Sequence, residues 1–268
     1  MKRQFLLFTA VLFCGTVFAQ KNYTDDQLKI ITDSILKEGE LLYKLEKSAW
    51  WMTDFAKEEK KIANSNGGYF SYASNDTIKC IIYNKKRTKV IAEAGFIDAF
   101  SKPEYVNTES RDATEFERKS FDIRSKIIDS LVNPIYELEV RKNFSYNAIL
   151  IPQDNGYRFY LILGSNVGRV IPFGGDYLFN SDNNGVITSF CKIHPKLIAT
   201  STRGVNGEFQ DTISHSHGAE IPFITATDIC TFLLYGKMYN ISALSIYSSV
   251  LNLTFKYYWK PNIISIVK

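Results

Sequence analysis

The stretch "DTISHSHGAEIPFITATDICTFLLY", from Asp211 to Tyr235, reads as a strand, "DTISHSH", a loop, and a helix opening at Thr225. In an extended strand the side-chain period is two, so His215 and His217 point to one face with Cα atoms about 6.5 to 7 Å apart. Thr225 followed three residues later by Asp228 is the signature of a capping box, which starts the helix by pairing each side chain with the other residue's backbone N–H. Two strands follow, "ISALSIYS" and "LNLTFKYYW", so the quoted stretch stands at a strand-to-helix crossing within a sheet.

Upstream, from Tyr146, the pattern is β throughout: "YNAILIPQ", an Asn155-Gly156 turn, "YRFYLILG", "GRVIPFGGDYLF", an Asn184-Gly185 turn and "VITSFCKI". Asn-Gly between β-branched and aromatic runs is a strong hairpin signal. The glycines of "FGGD" mark a bulge or turn, since no Lys-bearing helix start follows to make a phosphate cradle. "DNNG" near Asp182 has too few acidic positions for a calcium loop.

The N-terminal part begins with a long amphipathic helix from Thr24 to about Ile62, on which Leu28, Ile31, Ile35, Leu42, Leu45, Ala49 and Met52 recur at intervals of three and four. Glu46 lies beside this stripe, an unusual place for a carboxylate, while Trp50 and Trp51 read as core anchors. "GYFSYA", "TIKCIIYN" and "KVIAEAGF" then form an antiparallel meander, and a second helix from about Ala113 to Val132 is stopped by Pro134. The expected class is α/β in the α+β sense: mixed or antiparallel sheet with flanking helices. The expected division is a leader over 1–19, a helix–meander–helix unit over 20–135 and a β-rich unit over 136–268.

Lys2 and Arg3 precede an apolar run from Phe5 to Phe13 that ends in Val17, Phe18 and Ala19, the pattern of a secretory signal peptide cleaved after Ala19. The mature chain is expected to be secreted or periplasmic. No later stretch reaches the roughly 18 unbroken apolar residues of a membrane helix. Removing Lys2 and Arg3 lowers the formal charge from +4 to +2, too little and too scattered for a nucleic-acid footprint. Cys80, Cys191 and Cys230 remain after such processing, an odd set that allows at most one disulfide, and each reads as a buried thiol.

The pair His215-x-His217 can reach one ion, and Asp228 on the first turn of the next helix can supply an oxygen. Two imidazole nitrogens and one carboxylate, with water in a fourth position, make a catalytic zinc site, where the metal acidifies its water and polarises a carbonyl. The plainer account is that the capping box alone explains Thr225 and Asp228, and that the histidines are satisfied surface or core residues. His194, in "KIHPK", is a further candidate nitrogen ligand, although a His before Pro at a strand end is more often structural. Pairing Cys191 with His194 as a thiol protease fails, because three residues along a strand send side chains to opposite faces.

His215-x-His217, seven residues, Thr225, two residues, Asp228 resembles the JAMM signature of the MPN-domain metallopeptidases, His-x-His, seven residues, Ser, two residues, Asp. The resemblance covers about Tyr146 to Lys268. It implies one zinc ion held by His215, His217 and Asp228, with Thr225 in the place of the Ser that helps bind the developing oxyanion. It also implies hydrolysis of an amide or isopeptide bond, in a peptide or cell-wall crosslink for an exported bacterial protein. Thr replaces Ser, Gly218 stands where the family usually has Pro, and Tyr157 falls near the place of the family's general-base Glu. A zinc-bound water needs a base to take its proton, so Glu46 is the first substitute and Glu220 the second. The alternative is a non-enzymatic secreted binding protein on the same fold, with a structural or lost metal and a protein partner.

Overall fold

The computed structural model describes residues 23–97, 102–139, 141–204 and 206–268; the leader expected at 1–19 lies outside them. Helix α1 (Asp25–Glu58) opens on a capping box between Thr24 and Gln27 and ends where Glu59 turns to extended backbone, so the helix expected to reach Ile62 continues as a separate short α2 (Lys60–Ser65). The meander follows as β1 (Asn66–Ser74), β2 (Thr77–Asn84) and β3 (Lys89–Phe96), antiparallel and in that order, with β4 (Tyr105–Asn107) and β5 (Arg111–Asp112) added against β3. Helix α3 (Glu115–Ser130) starts on a second capping box, Thr114 with Glu117, and a 3-10 turn (Pro134–Tyr136) follows it.

A second sheet holds β6 (Phe144–Gln153), β7 (Gly156–Ser165), β9 (Tyr177–Ser181) and β10 (Ile187–Lys192) in the order β10-β9-β7-β6. The run "GRVIPFGGDYLF" does not make one strand. It divides into β8 (Val170–Gly174) and β9, and β8 pairs instead with β11 (Leu197–Ser201) in a two-stranded ribbon. The break is at Gly174 and Gly175, both in left-handed backbone (φ 74° and 69°), and a Cβ at Gly174 would lie 2.3 Å from the Lys196 carbonyl oxygen. Only glycine fits such a turn.

The final sheet has the order β12-β13-β14-β15, from β12 (Thr212–His217), β13 (Ala243–Ser248), β14 (Leu253–Tyr258) and β15 (Ile263–Val267). β12 runs parallel to β13, and the crossover between them carries α4 (Ala226–Tyr235). Among the described residues, mixed and antiparallel sheets with four α-helices make this an α+β fold. No helix among them is long and apolar enough to cross a membrane.

Alternation of side chains sends each central strand into two cores. Cys80 and Ile82 of β2 and Tyr160 and Ile162 of β7 enter the larger core, with α1, α4 and the final sheet. Their neighbours Ile81, Tyr83, Phe159 and Leu161 enter a smaller core with Phe121, Ile123 and Ile127 of α3. The larger core draws residues from both sides of position 135, so the long helix and the β-rich part share one interior. Helix α1 meets α4 at close range: a Cβ on Gly39 would lie 2.5 Å from Ile229 Cβ. That contact packs α4, which bears Asp228, directly against α1. Cys80 and Cys230 are free and buried, and burial pushes the Cys80 thiol up to about 12, leaving it inert as a nucleophile.

Candidate metal centre

Three elements bring four donors together. On β12, Ile213 and His217 face inward while Ser214 and Ser216 face water, and His215 shares the inward side. Asp228 enters from the first turn of α4, fixed by its capping box: its Oδ2 accepts from the Thr225 N–H at 2.9 Å, and its own N–H donates to Thr225 Oγ1 at 3.1 Å. The fourth member is His194, in the bend between β10 and β11. Ile193 N–H donates to the Asp176 carbonyl at 2.9 Å, tying this bend to the turn that follows the two left-handed glycines.

The donor atoms of His194, His215, His217 and Asp228 all lie within 4.8 Å of one another, and this group could hold a metal ion. The four side chains are at most 5% exposed. His217 Nε2 is 2.9 Å from His194 Nε2 and 3.1 Å from His215 Nε2. Asp228 Oδ1 lies 3.2 Å from His215 Nε2 and 3.7 Å from His194 Nε2, and its Oδ2 lies 3.5 Å from His217 Nε2.

The outer ring nitrogens explain why the inner ones face the centre. His217 Nδ1 lies 2.7 Å from the Phe223 carbonyl oxygen, which can only accept, so Nδ1 carries the proton and Nε2 presents its lone pair. His194 Nδ1 faces Asp176 Oδ2 at 3.2 Å and is fixed in the same sense. Two such nitrogens 2.9 Å apart repel unless a proton or a metal ion lies between them. His215 rests against Phe173, ring centroids 5.0 Å apart, and its Nδ1 is buried without a hydrogen-bond partner.

The electrostatics of the group are set by burial and by the charges its members exert on one another. Burial, reinforced by the other two histidines against the pull of Asp228, lowers His217 to about 4 and keeps it neutral. Burial also works against a charge on His194, but Asp228 and Asp176 outweigh it and hold that imidazole above its ordinary value. For Asp228, burial would raise the carboxyl, yet His194, His217 and His215 together hold it well below the usual carboxylate range. A buried carboxylate kept ionised beside three imidazoles is a set that could hold a cation.

His215, His217 and Asp228, the ligands expected from sequence, therefore meet at one point, and His194 joins them although its place before Pro195 reads as structural. The signal that places it is non-local, the pairing of β8 with β11 that swings the "KIHPK" bend toward β12. Thr225 stands beside the centre, its hydroxyl donating to Asp228 Oδ2 at 2.7 Å, with Thr227 Oγ1 at 3.0 Å. The hydroxyl is thus engaged in holding the Asp228 carboxylate.

The two expected bases stand in contrasting surroundings. Glu46 is buried on α1 at the seam where β1 approaches β6, in a small pocket with Tyr69, Ser71, Arg124 and Ile149, and accepts from the Trp50 indole N–H at 2.6 Å. None of the four clustered residues lines that pocket. Burial, partly offset by Trp50 and Arg124, pushes its carboxyl up to about 8. Glu220 is exposed on the loop before α4, and Tyr157 packs into the smaller core. No protein-family model, no curated protein and no solved structure matches this chain.

Proposed function

We propose that this chain is an exported metal-binding protein in which His194, His215, His217 and Asp228 hold one zinc ion. The observation that carries the reading is the convergence of four donor atoms, drawn from three separate elements, in a space almost wholly out of water. Zinc takes nitrogen and oxygen at about 2.0 to 2.2 Å, so neighbouring ligand atoms of a tetrahedral site lie about 3.3 to 3.5 Å apart. The contacts of His217 with His194 and His215 and of Asp228 with the three histidines, 2.9 to 3.7 Å, bracket that edge, and all four donor atoms lie within 4.8 Å of one another. Four protein ligands with little access for water is the pattern of structural zinc, whereas catalytic zinc keeps a position open. The ion would clasp the His194 bend, β12 and α4 to one another, so its binding free energy adds to folding. The function is then that of a secreted binding or interaction protein held in shape by its metal.

One observation favours a second reading, zinc-dependent hydrolysis of an amide or isopeptide bond in a peptide or cell-wall crosslink. His215, His217, Thr225 and Asp228 follow the JAMM order, and Thr225 reaches the ligand carboxylate as a neighbour of the centre. In that reading His194 is not a ligand, a water takes its place on the ion, and the base is a residue other than the buried, largely protonated Glu46.

Metal analysis of the purified protein tests the first reading. The chain should carry one zinc, and His217→Ala and His194→Gln should each weaken its retention. Loss on His217→Ala but not on His194→Gln, together with amide hydrolysis, favours the second reading. If the unaltered protein stays metal-free after incubation with zinc, both readings fail.

A further inference from the structure

Among the described residues, Asp176 is a buried carboxylate beside the centre that offers no atom to it directly. It is 1% exposed, follows the Gly174-Gly175 turn, and spends Oδ2 on His194 Nδ1 at 3.2 Å. Its Oδ1 is buried with no hydrogen-bond partner. A carboxylate half unsatisfied in a sealed interior is costly unless a nearby positive charge compensates it.

We propose that Asp176 is a positioning residue of the metal centre, which fixes the His194 tautomer so that Nε2 faces the ion and completes the charge match to one divalent cation. The inference rests on the metal-binding reading above. Two features of the structure support it independently of each other.

The first is geometric. A neutral imidazole has one donor and one acceptor nitrogen, and which is which is set by the partner of the outer one. Of the three histidines, His217 is set by the Phe223 carbonyl and His194 by Asp176, whereas His215 Nδ1 has no partner. Without the Asp176 acceptor, nothing on the outer side of His194 would keep its proton off Nε2. The chain also builds Asp176 into place: a pair of left-handed glycines turns the backbone ahead of it, and its carbonyl takes the N–H of Ile193, the residue before His194.

The second is charge. With its three imidazoles neutral, as metal ligation requires, the set of Asp228 and Asp176 carries two negative charges in a region from which water is excluded. A divalent cation brings the set to zero, so each carboxylate is satisfied only in the company of the other and of the ion. Asp176 stands at the outer nitrogen of His194 and Asp228 toward its inner one, so the two charges approach that imidazole from both ends.

The test compares wild type with Asp176→Asn, which keeps an oxygen to accept from His194 Nδ1 but removes the charge. Zinc affinity, measured by competition with a chromophoric chelator, should fall roughly 10- to 100-fold, the usual effect of losing such a partner. The metal-free Asp176→Asn protein should unfold at the same temperature as metal-free wild type or higher, and zinc should raise that temperature by less. A residue that served folding alone would lower both temperatures together. Equal zinc affinity in the two proteins overturns the inference while leaving the metal centre standing; wild type that binds no zinc removes the centre itself. Should Asp176→Asn fail to fold, nitrogen NMR of the zinc-loaded wild type decides, because His194 must then appear protonated on Nδ1 and metal-bound through Nε2. Metal on Nδ1 of His194 overturns the inference.

Discussion

Glu46 offers a test of the fold that needs no metal. Its carboxyl is buried beneath α1 and pushed up to about 8 from an ordinary 4.5, mainly by loss of water. Each pH unit of such displacement is worth about 1.36 kcal/mol, so ionising Glu46 in the folded protein costs on the order of 5 kcal/mol more than in the unfolded chain. The sign follows from proton counting. Below about pH 4.5 both states hold the proton and Glu46 contributes no slope; between about 4.5 and 8 the folded state holds more protons, so raising the pH destabilises it by at most roughly 1.4 kcal/mol per unit; above about 8 the loss is complete. Glu46→Gln keeps an oxygen for the Trp50 indole N–H and carries no titrating group. Urea unfolding of both proteins from about pH 5 to about pH 9 should therefore show the wild type losing several kcal/mol relative to Glu46→Gln as pH rises. Parallel stability curves across that range would refute the burial of this carboxyl at the seam.

Two further substitutions probe how the centre is held. Gly39→Ala adds a methyl that meets Ile229 at 2.5 Å, so overpacking of about 1 to 3 kcal/mol should exceed the ~1 kcal/mol gained in helix propensity, and a net rise in thermal stability would contradict the close approach of α1 to α4. Thr225→Val removes the hydroxyl that receives the Asp228 N–H and should cost about 0.5 to 2 kcal/mol in urea unfolding, while Thr225→Ser should restore it; equal stability of the Val and Ser variants would leave the capping box without weight.

Much of this architecture is legible in local pattern. β2 and β3 span "TIKCIIYN" and "KVIAEAGF", the runs set off by turn residues on either side, and α1, α3 and α4 all open on capping boxes, features fixed by residues three positions apart. The convergence of His215, His217 and Asp228 is legible for the same reason, since a two-residue period and a helix first turn set their directions. What escapes local reading depends on distant pairing. "GRVIPFGGDYLF" looks like one strand because each half is apolar, and only competition between β11 and β7 for its two halves sends them to different sheets. His194 and Asp176 meet across that division, eighteen positions apart, so neither carries a local sign of the other. Glu46 is unusual for a physical reason, a carboxylate in an apolar stripe, but at Glu46 that stripe meets β1 and β6. Periodicity identifies the buried face of a helix and is silent about which sheet covers it.

X-ray absorption at the zinc edge of the loaded protein reads the shell of the ion itself. Three nitrogens and one oxygen at about 2.0 to 2.2 Å around a single ion, reduced by one nitrogen in His194→Gln, is the predicted result. Zinc bound through fewer than three imidazoles in the unaltered protein, or an ion whose shell is unchanged when His217 is replaced by Ala, would contradict it.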